Sequence, residues 1–459
     1  MIIISNGPNR KLIVFVVAVS FFLMPYMLTS INIALPAIGA ELSVDAIILN
    51  WIATSYLLSS AILLIPCGKL ADIYGRKKMF SYGFVVFTIG TLLAAFSTSA
   101  WMLLIFRFLQ GVGGAMVSST SIAIITSVTP LAERGKALGI NVAVVYFGQT
   151  VGPFIGGVLT QQLGWRSIFY SIVPICIVVI AIIFSRMKDE WVEEGAEKLN
   201  YVSAAIYCVT FLLFMYGLSL IPEPISIAYL LVGAAGFIYY LWRESKVKNP
   251  LIDVSLFSKN RVFAFSNLAA LISYSATYAV IFLLSLYLQY ILGLSPQTAG
   301  LILMSKAIVQ SVFSPAAGSL SDRIDPKMLA SAGMAFSAVA LFMMAFVSPN
   351  TSLLYIIVAL VILGLGIGLF VSPNTNAIMS SVEKKHYGVS SATIATTRSI
   401  GQLFSMAIVM LLFALLIGKV EITPQYYDVF LVATRASFVV FGALCFLSIF
   451  FSQARGNLR

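Results

Sequence analysis

The sequence predicts an all-α integral membrane protein. It should hold fourteen transmembrane helices, built as two pseudo-symmetric six-helix bundles plus two extra linking helices, with both termini cytoplasmic. Three observations carry this. The 459 residues are 60% apolar and 10% charged, with a mean hydropathy of +0.99, where soluble domains run at ~45–50% and ~25%. So few charges cannot cover a water-facing surface, so most of it must meet lipid. Apolar runs of bilayer-spanning length recur along the chain, and the two ends of the chain echo each other. The same composition excludes disordered, collagenous and disulfide-stapled secreted chains and nucleic-acid modules, because the formal charge of +11 sits in short loops rather than on one basic face.

The spans read as 12–35, 47–67, 79–98, 101–127, 137–161, 167–186, 202–221, 225–242, 262–290, 298–320, 328–347, 352–376, 388–417 and 429–452, each near the ~20 residues that cross a hydrocarbon core. The first follows Arg10 and Lys11 like a signal peptide, but it is too long and runs into Pro36 with no cleavage site, so it is read as a retained span. Of the 28 basic residues, 22 fall in alternate loops on the N-terminal side, Arg166 and Lys419 fall on the other side, and four lie within spans. Adding or removing one span would destroy that asymmetry, which places both termini in the cytoplasm. The chain is therefore expected in the cell membrane as a multi-pass protein, with the lipid bilayer around it and no nucleic-acid partner.

Gly68-Lys-Leu-Ala-Asp72 recurs as Gly318-Ser-Leu-Ser-Asp322, Gly111-Val-Gly113 as Gly364-Leu-Gly366, and Gly148-Gln149 as Gly401-Gln402, at offsets of 250, 253 and 253 residues. Three matches in one order at nearly one offset argue for a duplicated bundle of six spans, a transporter architecture. The expected division is an N-terminal bundle over 1–188, a linker with the extra pair over 189–261, and a C-terminal bundle over 262–459. The acidic run Asp189, Glu190, Glu193, Glu194 and Glu197, and the basic stretch from Arg243 to Arg261, read as solvated linker. Cys67, Cys176, Cys208 and Cys445 are scattered in or beside apolar runs and read as small buried hydrophobes. With a single histidine, His386, in a loop, no metal site is expected. No GxxxxGK[ST] motif is present, so ATP is not the direct energy source. No cofactor is expected, and the deep acids, histidines or nucleophile–base pairs of an intramembrane enzyme are missing.

Gly68-Lys-Leu-Ala-Asp-Ile-Tyr-Gly-Arg-Lys-Lys78 lies between spans two and three. It resembles the signature loop of the major facilitator superfamily, with Asp322-Arg323 as its weaker copy. Arg107-Phe-Leu-Gln-Gly-Val-Gly113 resembles that family's RxxQGxG motif. Gly148-x-x-x-Gly152-Pro153-x-x-Gly156-Gly157 is similar to the glycine–proline motif of its antiporter branch, whose small residues let helices approach and whose proline bends the span. Trp165-Arg166-Ser-Ile-Phe169, Asn32-Ile-Ala-Leu-Pro36 and Pro250 through Phe257 look like the fourteen-span drug:proton antiporter branch. The resemblance covers the whole chain. It implies a proton-coupled secondary exporter of small molecules of multidrug type, with Asp72 and Arg76 in a gating loop and Arg107 in proton coupling or substrate contact.

One departure bears on mechanism. Aligned on Asn32 through Pro36, the aspartate of the branch's LDxTIVNVALP pattern falls on Met27, and all seventeen acidic residues sit in loops or at span ends. The charges within spans are Arg107, Lys306, Arg398 and Arg435. Isolated cations in hydrocarbon cost at least ~2.5–3.5 kcal/mol each, so they face a wet cavity, find partners or snorkel. A net positive cavity would favour an anionic, zwitterionic or neutral ligand. A desolvated lysine exchanges its proton more readily than a solvated one, which makes Lys306 a candidate for the coupling group in place of an acid. Asn32, Gln110, Gln149, Gln310, Asn374 and Gln402 are the polar candidates for the cavity wall alongside Arg398, and Tyr56, Tyr146, Phe147, Tyr274, Tyr278 and Tyr287 are aromatics for an apolar wall or for packing and the membrane interface. A substrate and protons are the expected partners, and the chain is expected to work as a monomer.

Overall fold

The computed structural model describes residues 8–130, 133–192, 199–247, 250–251, 257–258, 260–321, 323–383 and 387–456. Asp322, His386, Glu193, Glu194, Glu197 and residues 252–256 lie outside the described residues. The rest forms fourteen helices long and apolar enough to cross a membrane. The first six are α1 Pro8–Leu42, α2 Ala46–Tyr74, α3 Arg76–Ala95, α4 Ala100–Val128, α5 Arg134–Leu163 and α6 Arg166–Arg186. The extra pair is α7 Tyr201–Ser219 and α8 Ile225–Glu244. The last six are α9 Arg261–Ile291, α10 Pro296–Leu320, α11 Pro326–Met344, α12 Leu353–Ser380, α13 Tyr387–Leu416 and α14 Tyr427–Ala454.

Most boundaries follow from capping chemistry legible in the residues. Asp45, Ser99, Asn200, Asn260, Ser295 and Ser352 each accept a hydrogen bond from the backbone three residues on, at the starts of α2, α4, α7, α9, α10 and α12, meeting donors that a helix start leaves orphaned. Pro296 and Pro326 stand at the first helical positions, where a missing N–H costs nothing. The chain differs from the sequence reading in α1, which passes through both Pro25 and Pro36 and ends at Leu42, seven residues beyond the expected limit of 35. Proline does not end a buried span when neighbouring helices meet the freed carbonyls. Within α1 the Thr29 hydroxyl donates back to Pro25 O at 3.0 Å.

The two bundles repeat each other contact by contact. A Cβ on Gly113 would stand 2.7 Å from Gly83 O, and one on Gly366 would stand 2.7 Å from Gly333 O. One on Gly111 would meet Tyr56 O at 2.3 Å, and one on Gly364 would meet Lys306 O at 2.4 Å. One on Gly148 would meet Phe22 O at 2.6 Å, and one on Gly401 would meet Leu271 O at 2.8 Å. The α3–α4, α2–α4 and α1–α5 contacts of the first bundle therefore recur as α11–α12, α10–α12 and α9–α13. They also make Lys306 the counterpart of Tyr56.

The halves meet along two seams, α5 with α10 and α2 with α13. The extra pair packs chiefly on itself. Its α7 touches both α2 and α13, through Tyr207, whose hydroxyl donates to Ala61 O at 3.5 Å, and through Phe214 edge-on to Phe404 at 6.1 Å. Most of α8 faces outward, with apolar residues such as Leu231 and Ile238 exposed, as a lipid-facing helix requires. The half-buried Arg435 donates from Nε to Val347 O, beyond the end of α11, at 2.6 Å.

Gly113→Ala is expected to abolish recovery of folded protein, because its Cβ would lie 2.3 Å from the Phe87 nitrogen and backbone cannot yield as a side chain can. Gly139→Ala, with nothing within 4 Å of the added carbon, should leave the profile unchanged. Fluorescence-detected size exclusion of the two detergent-solubilised variants checks both.

Candidate functional site

At the end that bears the N-terminus, the loop between α2 and α3 is held by charge and by a strap. Arg76 donates from Nε to Asp72 Oδ1 at 2.9 Å and from Nη1 to Ser127 of α4 at 3.3 Å, so the two predicted gating residues do pair. The strap is the segment after α6. Glu190 Oε1 accepts from the Lys77 nitrogen at 2.8 Å, and Trp191 O accepts from the Arg76 nitrogen at 2.9 Å. Two orphan donors at the start of α3 are thereby met. Gly75 makes room: its φ is +118°, and a Cβ there would stand 2.6 Å from the Glu190 carboxyl. Glu190 was expected to be solvated linker; it is instead the cap of α3, recruited from 113 residues away.

Arg107 is fully buried and lies against α2 rather than in open space. Its Nε donates to Ile52 O at 3.3 Å, its Nη1 to Gln110 Oε1 at 2.7 Å, and Gln110 Nε2 donates to Thr91 of α3 at 2.7 Å. The guanidinium lies 4.9 Å from the centroid of the Tyr56 ring, a cation–π contact. Its Nη2 has no partner, and Tyr278 of the other half is within electrostatic reach. Arg107 and Gln110 are thus a paired unit of the first bundle at the seam. Asn374 is likewise committed: its amide donates to Ser266 O at 3.0 Å and its oxygen accepts from Arg455 at 3.0 Å.

Several polar side chains link the halves or lie beside the other half. Tyr146 of α5 shares a hydrogen bond with Ser314 of α10 at 3.2 Å, and Ser314 shares another with Ser372 of α12 at 2.8 Å. Tyr274 of α9 is within electrostatic reach of both Tyr146 and Arg398. Tyr274 therefore lies toward Tyr146 of the other half, with Arg398 near it on α13 of its own half. Lys306 is 9% exposed and makes no hydrogen bond or ion pair among the described residues. Its nitrogen is nonetheless absent from the sealed, unpartnered atoms, as are the amides of Asn32 and Gln310, so all three open onto a space. Gln149 and Gln402 are half-buried on the repeat-related helices α5 and α13.

At the opposite end the halves are bonded shut. Ser285 donates to Asn32 O at 2.7 Å and Gln289 to Ile33 O at 3.0 Å. The Ala46 nitrogen donates to Val420 O at 3.1 Å, and the Gln297 nitrogen to Gln161 at 3.3 Å. The glycine–proline run forms the tight seam between them. Gly148, Gly152 and Gly156 pack on α1, against Phe22, Thr29 and Ser30, while a Cβ on Gly157 would meet Pro296 O at 2.4 Å and one on Gly300 would meet Pro153 O at 2.1 Å.

The family model described as Major Facilitator Superfamily matches residues 17–264 and 266–455. The chain belongs to the Major Facilitator Superfamily. Among its relatives, "Riboflavin transporter RibZ" of Clostridioides difficile is 29% identical over 96% of both chains. "Multidrug efflux pump LfrA" of Mycolicibacterium smegmatis is 29% identical over 85% of this chain and 79% of its own length. "Methylenomycin A resistance protein" of Bacillus subtilis is 28% identical over 88% of both. A crystal structure titled as a peptide transporter POT with sulfate superposes with a TM-score of 0.69 at 14% identity, over 95% of this chain and 93% of that one, and so shares the fold. This Major Facilitator Superfamily protein is a multi-pass plasma-membrane transporter, not an enzyme.

Sequence reasoning passed over Ser314 and Ser372, although Lys306, Gln310 and Ser314 lie at helical i, i+4, i+8 spacing and so share one face of α10. No local pattern could have found Glu190, whose partner is distant in sequence. Glu190→Ala should free the α3 cap at a cost of about 1 kcal/mol. Hydrogen exchange at the Arg76 and Lys77 amides should then speed up roughly fivefold, with the α14 amides unchanged.

Proposed function

We propose that this protein is a secondary exporter that expels small molecules by proton antiport with alternating access. The loop charges place the bonded end outside, so the form described is inward-facing. The α5–α10 and α2–α13 seams are the surfaces about which the halves rock. The observation that carries the reading is Lys306: an ammonium without a partner, opening onto the inter-bundle space, where no carboxylate of the described residues lies away from a helix end. An apolar substrate seated beside it would strip its water and favour release of its proton. Substrate and proton then exclude each other, which is the requirement for antiport. Arg107, held by Gln110 and Tyr56, would sense the same space from the seam, and the Asp72–Arg76 loop would gate the inner end.

The relatives named for multidrug efflux support broad export, and the relative named for riboflavin supports a planar metabolite. A second reading, export of an anionic or neutral metabolite or amphiphile with Lys306 in place of an acidic coupling residue, is favoured by the cationic wall that Lys306 and Arg398 make. Both readings route coupling through Lys306, and for an anionic substrate the exclusion of the proton requires its charge to be held away from that ammonium.

In a sensitised bacterial host, Lys306→Ala is expected to abolish protection against every exported compound while expressing and folding as the parent does. Lys306→Arg, permanently charged, should fail equally. Protection by Lys306→Ala equal to the parent's would remove lysine coupling. A panel of cationic, anionic and neutral toxic compounds separates the two readings.

A further inference from the structure

The cationic wall is not uniform. Arg107 is spent on Gln110, Ile52 O and the Tyr56 ring, and Arg435 on Val347 O. Lys306 is 9% exposed. Arg398 alone of the four is exposed, and it makes no hydrogen bond or ion pair among the described residues. Its backbone is fixed on both sides. Thr397 donates to Asn267 of α9 at 3.3 Å, and at Gly401 an added Cβ would stand 2.7 Å from the Tyr274 Cβ, so α13 cannot rotate to take Arg398 away from α9. Among the described residues the Tyr274 hydroxyl has no hydrogen-bond partner, while the Tyr146 hydroxyl of the other half shares one with Ser314. A planar five-donor cation thus stands on α13 beside Tyr274 of α9, and Tyr274 in turn is within electrostatic reach of Tyr146 of the other half.

Resting on the reading of the protein as a transporter, we propose that Arg398, Tyr146 and Tyr274 form a substrate subsite for an aromatic anion, the oxyanion held by the guanidinium and the ring by the phenols. A guanidinium grips a carboxylate by two parallel hydrogen bonds, and phenol faces accept a flat ring by offset stacking. The division of labour is complementary to that of Lys306: the fixed cation Arg398 holds the charge of the substrate, while Lys306 is left to exchange the proton. Because Tyr146 belongs to one half and Tyr274 with Arg398 to the other, a ring between them touches both halves, as a ligand must if it is to bias their rocking.

Three isosteric probes test this on purified protein in nanodiscs: 1-naphthoate, 1-naphthamide and 1-naphthylmethylammonium, measured by equilibrium dialysis. The expected order is naphthoate about tenfold tighter than the amide, a typical gain for a charge-assisted pair, with the ammonium weakest. Arg398→Gln should erase the preference for naphthoate and leave naphthamide unchanged, Arg398→Lys should keep part of it, and Tyr274→Leu should weaken naphthoate and naphthamide alike. Equal binding of the three probes, a preference for the ammonium, or a naphthoate preference that survives in Arg398→Gln would overturn the subsite. Proton counterflow in proteoliposomes keeps the two ideas apart. Counterflow driven by any compound without a naphthoate preference defeats the subsite and leaves antiport standing. A naphthoate preference with no counterflow from any probe leaves the subsite and defeats antiport.

Discussion

Close approach of helix backbones at glycine is the contact on which the rest of this molecule depends. Lipid is as apolar as leucine, so helices within a bilayer gain little from burying apolar side chains against each other and associate through tight packing. Here the approach is made at Gly111, Gly113 and Gly148 in one half and at Gly364, Gly366 and Gly401 in the other. Those six contacts fix two bundles of the same shape. Gly157 and Gly300 then let α5 and α10 of opposite halves meet carbonyl to Cα, so the same chemistry that builds each half also builds the seam between them.

The seam decides where the chemistry can be. The halves are bonded through Asn32, Ile33, Ala46 and Gln161 at one end. The first bundle uses the arginine of its RxxQGxG motif as a strut between α4 and α2. In the second bundle, the counterpart of the tyrosine that packs on that arginine is Lys306, and the position of the arginine itself is Leu360. The duplicated fold therefore carries an unduplicated charge: Lys306, a buried cation, stands where the first bundle has Tyr56.

Much of this was legible in the residues. Span number, repeat offsets and helix starts follow from hydropathy, glycine spacing and capping residues, all of which act over a few positions. Which polar residues lie within apolar spans was legible, but which of them are already bonded was not. Gln110 and Asn374 carry the same amide chemistry, but they are consumed by Arg107 and by Arg455, which lies beyond the last span. Whether an amide is free or spent depends on a partner tens to hundreds of residues away, and spacing does not report that. Glu190 shows the same limit from the other side: within an acidic run it looks solvated, and only the fold reveals that it caps a distant helix.

The most direct test of the account is the distance across the bonded end. Spin labels on cysteines introduced at Gln161 and Gln297, whose amide and backbone lie 3.3 Å apart in the closed arrangement, report the outer seam in liposomes. Alternating access predicts one short distance at rest and a second, longer population when an exported compound and an inward proton gradient are supplied together. A single unchanged short distance under conditions in which the labelled protein still transports would contradict it.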